Sequence, residues 1–216
     1  MLTPPVIEND GIPAYIPELS VEQYHLLIRE AVLPEGAPIE LIEGQLVWKD
    51  RRDRAGSIMT VGPRHASTIR KISRILGERL RNCGGFVMTQ QPITLLESEP
   101  EPDVCVVFRA EDHFEDHHPV GPDVALCVEV ADSSLKYDRT TKLQVYARAG
   151  IAEYWIVNLR ENQVEVYRKP DAVDAGYSDN LIVTSGGAVS LRVIDEEFAF
   201  SVSEFLSDGP PSQKSP

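Results

Sequence analysis

Two apolar runs each carry one carboxylate: Pro102-Asp103-Val104-Cys105-Val106-Val107 and Ala125-Leu126-Cys127-Val128-Glu129-Val130. A lysine, Lys142, follows on the next segment. Burying an ionised carboxylate costs several kcal/mol unless a cation or a set of donors compensates it, so two acids and a lysine at one core edge point to a bound metal ion. Two hard carboxylates hold Mg²⁺ or Mn²⁺ and leave positions for water and a phosphate oxygen. The ion lowers the pKa of an attacking water, and an ammonium orients that water or stabilises the developing oxyanions. That is the chemistry of a metal-dependent phosphodiesterase, and the backbone carbonyl of Val130 is expected to complete the coordination.

The elements that must position these groups follow from periodicity. Both runs are nearly continuous in Val, Leu and Cys, the pattern of strands buried on both faces. Joined as an antiparallel pair with Asp103 opposite Glu129, they place Cys105 opposite Cys127 and Val107 opposite Ala125, with both acids on one face at one end. The connecting loop, residues 109 to 122, then turns back at the far end. Asp132-Ser133-Ser134 supplies turn chemistry, a helix runs from about Asp138 to Ala149, and Gly150 ends it. Lys142, Val145, Tyr146 and Ala149 form one helical stripe, which puts Lys142 on the core side. The strand Glu153 to Asn158 completes a crossover and should run parallel to the Glu129 strand.

Around this centre, four prolines make residues 1 to 17 an extended arm, and Ser20 caps a helix from Val21 to Glu30. Ile39 to Trp48 reads as two strands about a Glu43-Gly44 turn. An amphipathic helix spans about Arg64 to Asn82 and stops at Gly84-Gly85. Phe86 to Thr89 and Ile93 to Leu96 read as strands; Val164 to Arg168, Leu181 to Thr184 and Ala188 to Val193 read as antiparallel additions. Residues 18 to 206 form one domain and 207 to 216 a disordered tail.

Composition bounds the partners. The 216 residues, 42% of them hydrophobic, suffice for one core. The absence of a membrane-length apolar run and of a signal-like start places the chain in the cytoplasm. Three cysteines at no zinc-like spacing fit a reducing compartment. The net charge of -13 argues against nucleic acid, but Lys49 to Arg81 holds ten basic residues against three acids. If that cluster flanks the acids, Arg51, Arg52, Arg64, Arg70, Lys71 and Arg74 would bind a DNA backbone without reading its sequence; the bland alternative is a solvated face.

The succession Pro102-Asp103, Val128-Glu129-Val130, Tyr137-Asp138, Lys142, Tyr146-Ala147, Gly150 and Glu153-Tyr154-Trp155-Ile156-Val157 resembles the Uma-two family of restriction-endonuclease-like proteins, in the PD-(D/E)XK nuclease superfamily. Glu40-Leu41-Ile42-Glu43-Gly44 and His65 extend the resemblance. It implies an α/β, restriction-endonuclease-like fold: a mixed central sheet with a β-hairpin carrying the acids, a crossover helix and additional antiparallel strands. It also implies Asp103 and Glu129 as metal ligands, Lys142 as the catalytic lysine, and Glu40 as a further ligand or substrate-positioning acid. His65 could touch a phosphate. The chain departs from the superfamily at Ala131, where a lysine is expected, so the active-site lysine has migrated to the helix or been lost.

The leading expectation is a Mg²⁺- or Mn²⁺-dependent endonuclease acting on DNA, with a homodimer expected by analogy because cutting two strands benefits from two sites. The alternative is a catalytically inactive nuclease-fold module that binds nucleic acid or a protein. Bland readings stand beside each residue: Lys142 as a lysine snorkelling to water, Cys105 and Cys127 as small apolar filler, and His113, His117 and His118 as members of a solvated loop rather than a zinc site.

Overall fold

The computed structural model describes residues 6–9, 12–15, 17–49, 62–193 and 196–206. Strands β1 (Val6–Asn9) and β2 (Ile12–Tyr15) pair antiparallel, so the expected extended arm contains a short hairpin. Helix α1 (Val21–Arg29) starts at Ser20, whose hydroxyl and the Gln23 side chain form a reciprocal capping box. Strands β3 (Ile39–Ile42) and β4 (Gln45–Trp48) are joined through Glu43 (φ 48°) and Gly44 (φ 73°), a left-handed pair that matches a tight hairpin turn.

Helix α2 (Pro63–Leu80) begins on Pro63, where the missing N–H costs nothing, and packs Ile69, Ile72, Ile75, Leu76 and Leu80 inward. Each fully buried aliphatic side chain contributes roughly 1.5 to 3 kcal/mol. Strands β5 (Phe86–Met88), β6 (Val104–Val107) and β7 (Val124–Ala131) follow, with β6 and β7 buried at every position. The crossover is a single helical path: α3 (Leu135–Tyr137), a π-helical stretch Asp138–Lys142, and α4 (Leu143–Arg148). It ends on Gly150 (φ 72°), with Ile151 N–H donating back to the Tyr146 carbonyl at 3.0 Å.

Strands β8 (Glu153–Asn158), β9 (Gln163–Asp171) and β10 (Gly176–Thr184) complete a six-stranded sheet ordered β10-β9-β8-β7-β6-β5. Only β7 and β8 run parallel, as the crossover requires. A separate hairpin, β11 (Ala188–Val193) and β12 (Glu196–Ser201), and the short α5 (Val202–Phe205) join α2 on one face of the sheet.

The expected register holds over most of the acid-bearing hairpin. Val104 faces Val128, Cys105 faces Cys127 and Val106 faces Leu126. An irregularity between Val106 and Val107 then pairs Val107 with Val124, correcting the expected Ala125 partner. One extra residue flips the pleat, so Ala125 packs with the α2 side and Val124 with the crossover side. Ile93 to Leu96 is not a strand: Leu95 N–H closes a turn on Ser98 and Thr94 makes an isolated bridge to Val120. A turn-closing bond uses the amide that a strand ladder would need.

Alternation along β7 sends Leu126, Val128 and Val130 to the α2 face and Cys127 and Ala131 to the face covered by the crossover helix. By the same period of two, Glu129 lies under the crossover helix. Among the described residues, no helix is long and apolar enough to cross a membrane.

Candidate active site

Lys142 ends the π-helical stretch and is 4% exposed. Its ammonium lies 2.8 Å from Glu40 Oε1 and 3.4 Å from Glu129 Oε1. Burial alone would drive the amine toward neutrality; the charges of Glu129 and Glu40 outweigh it and hold Lys142 well above the ordinary lysine range. The amine therefore stays charged although it is buried, and the snorkelling alternative does not describe it.

Glu129 is held from the same helix. Tyr146, one turn beyond Lys142 on the same stripe, donates its O–H to Glu129 Oε1 at 2.7 Å. Burial pushes the Glu129 carboxyl up to about 8, against the pull of Lys142 and with repulsion from Asp103, Asp138 and Glu40 adding to the shift. Asp103 sits immediately before β6. Its Oδ2 accepts the Val130 N–H at 2.9 Å and lies 3.1 Å from His65 Nε2, and Gln90 Nε2 donates to Oδ1 at 3.4 Å. Burial works against the charged imidazole, yet the hydrogen bond and charge of Asp103 raise the His65 pKa overall.

Glu40 reaches the cluster because β3 is bridged to the segment preceding Asp103. Glu99 N–H donates to the Leu41 carbonyl at 2.7 Å, and Glu101 N–H donates to Glu40 Oε1 at 2.6 Å. Lys49 pairs with Glu101 and lies 3.7 Å from Glu40. Asp138, the first residue of the π-helical stretch, is buried and accepts the Ser134 hydroxyl at 2.6 Å. Burial nonetheless pushes its carboxyl up to about 6.

A family model described as "putative restriction endonuclease", that of the Uma-two family, matches residues 21–203. The chain belongs to that family. A crystal structure titled as a putative nuclease belonging to DUF820, from Anabaena variabilis ATCC 29413, is similar at a TM-score of 0.64 and 16% identity, over 88% of this chain and 98% of that one. This likeness shows the restriction-endonuclease-like fold. No curated protein matches the chain.

In this Uma-two chain, the buried Lys142 ammonium pairs with Glu40 and Glu129, Asp103 and Asp138 act on Glu129 electrostatically, and His65 lies at the Asp103 end. Hard oxygen donors with surplus negative charge fit a hard divalent cation such as Mg²⁺ or Mn²⁺. Among the described residues, no three His, Cys, Asp or Glu side chains already converge as a ligand set. Glu40 is the ion partner of Lys142, and the shown contact of Val130 is its amide on Asp103.

The basic segment is largely engaged elsewhere. Arg64 ties the β8–β9 turn through the Leu159 carbonyl (2.6 Å) and Asn162 Oδ1 (3.0 Å), and Arg74 pairs with Glu78 one turn on. Arg70 is exposed and Lys71 is half-buried on α2, whereas Arg51 and Arg52 lie outside the described residues, as does the segment 207 to 216. His117 bonds Asp116 at 2.6 Å and packs against His113 and Phe114. Cys105 and Cys127 are buried neighbours in the apolar cluster under the crossover helix.

Sequence reasoning did not assign Tyr146, Asp138 or Lys49 to the site. Tyr146 carried a usable signal, since it lies four residues beyond Lys142 on the same stripe. Asp138 stood in the motif run Tyr137-Asp138 without a role, and Lys49 carried no signal because it meets Glu40 and Glu101 across distant segments.

Proposed function

We propose that this Uma-two protein is a metal-dependent endonuclease that hydrolyses DNA phosphodiester bonds through a metal-activated water. Asp103 and Glu129 would hold Mg²⁺ or Mn²⁺, with the Val130 carbonyl as a backbone donor. The observation that carries the reading is the position of Lys142: its ammonium, supplied by the helix, lies 3.4 Å from the strand carboxylate Glu129. That supports migration of the lysine absent at Ala131.

When bound, the ion lowers the pKa of the attacking water and offsets charge on the phosphoryl oxygens. The chain's own residues prepare for that. Val130 N–H and His65 fix the Asp103 carboxylate, and Tyr146 fixes Glu129. Glu40 anchors Lys142 in its charged form, so the ammonium can donate to the attacking water or to an equatorial oxygen without a prior proton transfer. Arg70, exposed on α2, and the basic residues of the sequence before that helix support a polyanionic substrate in an otherwise acidic chain.

The test is cleavage of duplex DNA with Mg²⁺ or Mn²⁺. Wild type cuts, chelation stops it, and Asp103→Ala loses roughly 100-fold or more of the rate. Wild-type cleavage that survives Asp103→Ala removes this site from the reaction.

A further inference from the structure

Tyrosine ordinarily buries its ring and leaves its hydroxyl wet. Tyr137 does the reverse. The residue is only half-buried, yet its hydroxyl oxygen is shut off from solvent and has no hydrogen-bond partner in the protein. A buried donor without a partner costs about 1 to 3 kcal/mol, so such a group in a well-packed fold calls for an explanation.

Its surroundings supply one. Tyr137 interacts electrostatically with Lys142, Glu40, Glu129 and Asp138, the same groups that form the site. Burial and those acids push the phenol up to about 12, so it remains a neutral donor at any pH at which the protein works. The backbone accounts for the placement. Tyr137 immediately precedes the π-helical stretch, in which Leu143 N–H bonds back five residues to the Asp138 carbonyl. In an α-helix, residues five apart diverge by about 140°. With i→i+5 bonding, residue i+5 takes the place over residue i that i+4 holds in an α-helix, which brings Tyr137 and Lys142 toward one side.

Resting on the endonuclease reading, we propose that Tyr137 is a further catalytic residue, whose O–H donates to a non-bridging oxygen of the substrate phosphodiester beside Lys142. In the resting protein this O–H is enclosed and unpartnered, so the contact forms as the substrate seats beside it. A neutral donor suits the position, because four carboxyl groups already crowd the site and the substrate adds another anion. Tyr137 and Lys142 thus give the phosphate two donors from one helical turn.

The test is Tyr137→Phe, which keeps the ring and removes only the hydroxyl. Three quantities are read: cleavage rate, thermal midpoint without ligand, and affinity for a labelled duplex DNA in Ca²⁺. Cleavage reduced tenfold or more, duplex affinity reduced severalfold and a thermal midpoint equal to or above wild type support the assignment. A cleavage rate equal to wild type overturns it. So does a rate that falls together with the midpoint, since that marks a structural hydrogen bond. If wild type itself does not cut, the endonuclease reading fails separately. The duplex affinity then decides: weaker binding by Tyr137→Phe sustains the phosphate contact, and equal binding ends it.

Discussion

Two buried acids of the central sheet are each held by a cation from the same π-helical stretch, and they behave in opposite ways. Glu165 on β9 receives Arg139 in a two-pronged contact, Nε to Oε2 at 2.8 Å and Nη2 to Oε1 at 2.6 Å. Asn158 adds a bond at 3.0 Å and Gln163 one at 3.3 Å. Burial alone would raise Glu165, but these donors bring it below the ordinary carboxylate range. Glu129 on β7 has one hydroxyl at 2.7 Å and an ammonium at 3.4 Å that it shares with Glu40, and burial pushes it up to about 8. Two acids that solvent barely touches therefore end as a saturated carboxylate in one place and, deeper in the protein and with fewer donors, an under-compensated one in the other. The saturated pair fastens the crossover helix to the sheet, whereas the under-compensated group has capacity left for a cation or substrate.

Removing each cation sharpens this contrast. Lys142→Ala should have the largest effect, cutting DNA cleavage by roughly 100- to 1,000-fold. By leaving Glu40 and Glu129 unpaired, it should also cost about 3 to 5 kcal/mol of stability in urea titrations at pH 8. Retained cleavage would show that the helix lysine is an ion-pair partner alone. Arg139→Ala should cost less, about 1 to 3 kcal/mol, because Arg139 is 37% exposed and water partly replaces it. Its folded form should keep the wild-type turnover. A loss of turnover without a loss of stability would break the division between a fastening pair and a working one.

The smallest effect concerns Asp138, whose carboxyl is raised to about 6 from an ordinary 3.8. A raised acid favours the neutral form in the fold, so its stabilising contribution is complete below pH 3.8. It is lost as pH rises through about 6. Asp138→Asn keeps an acceptor for Ser134 and removes that penalty. In chelator, its thermal midpoint should match wild type near pH 3.5 and exceed it at pH 8. A lower midpoint at pH 8 would show that the ionised carboxylate stabilises the fold.

Where sequence and structure agree, local periodicity is the reason. The Cys105–Cys127 register follows from matching two strands of period two, and the inward turn of Lys142 and Tyr146 follows from helical spacing. The disagreements arise where one residue breaks a period. The irregularity after Val106 moved Val107 to Val124, and the turn at Leu95 to Ser98 replaced a strand that composition alone favoured. The charge count of Lys49 to Arg81 was legible, but its use was not. Arg64 and Arg79 are engaged with Leu159 and Glu204, 95 and 125 positions away.

By itself, the sequence determined which face residues occupy along the regular stretches of strand and helix, because side-chain direction repeats with the covalent geometry of the backbone. Only the tertiary structure decided that Glu40 anchors Lys142, that His65 meets Asp103, and that the crossover helix carries a π-helical stretch over Asp138–Lys142. Those meetings join segments tens of residues apart or hinge on one extra residue in a turn. Their geometry is set by how loops close and helices pack, which no period in the chain encodes.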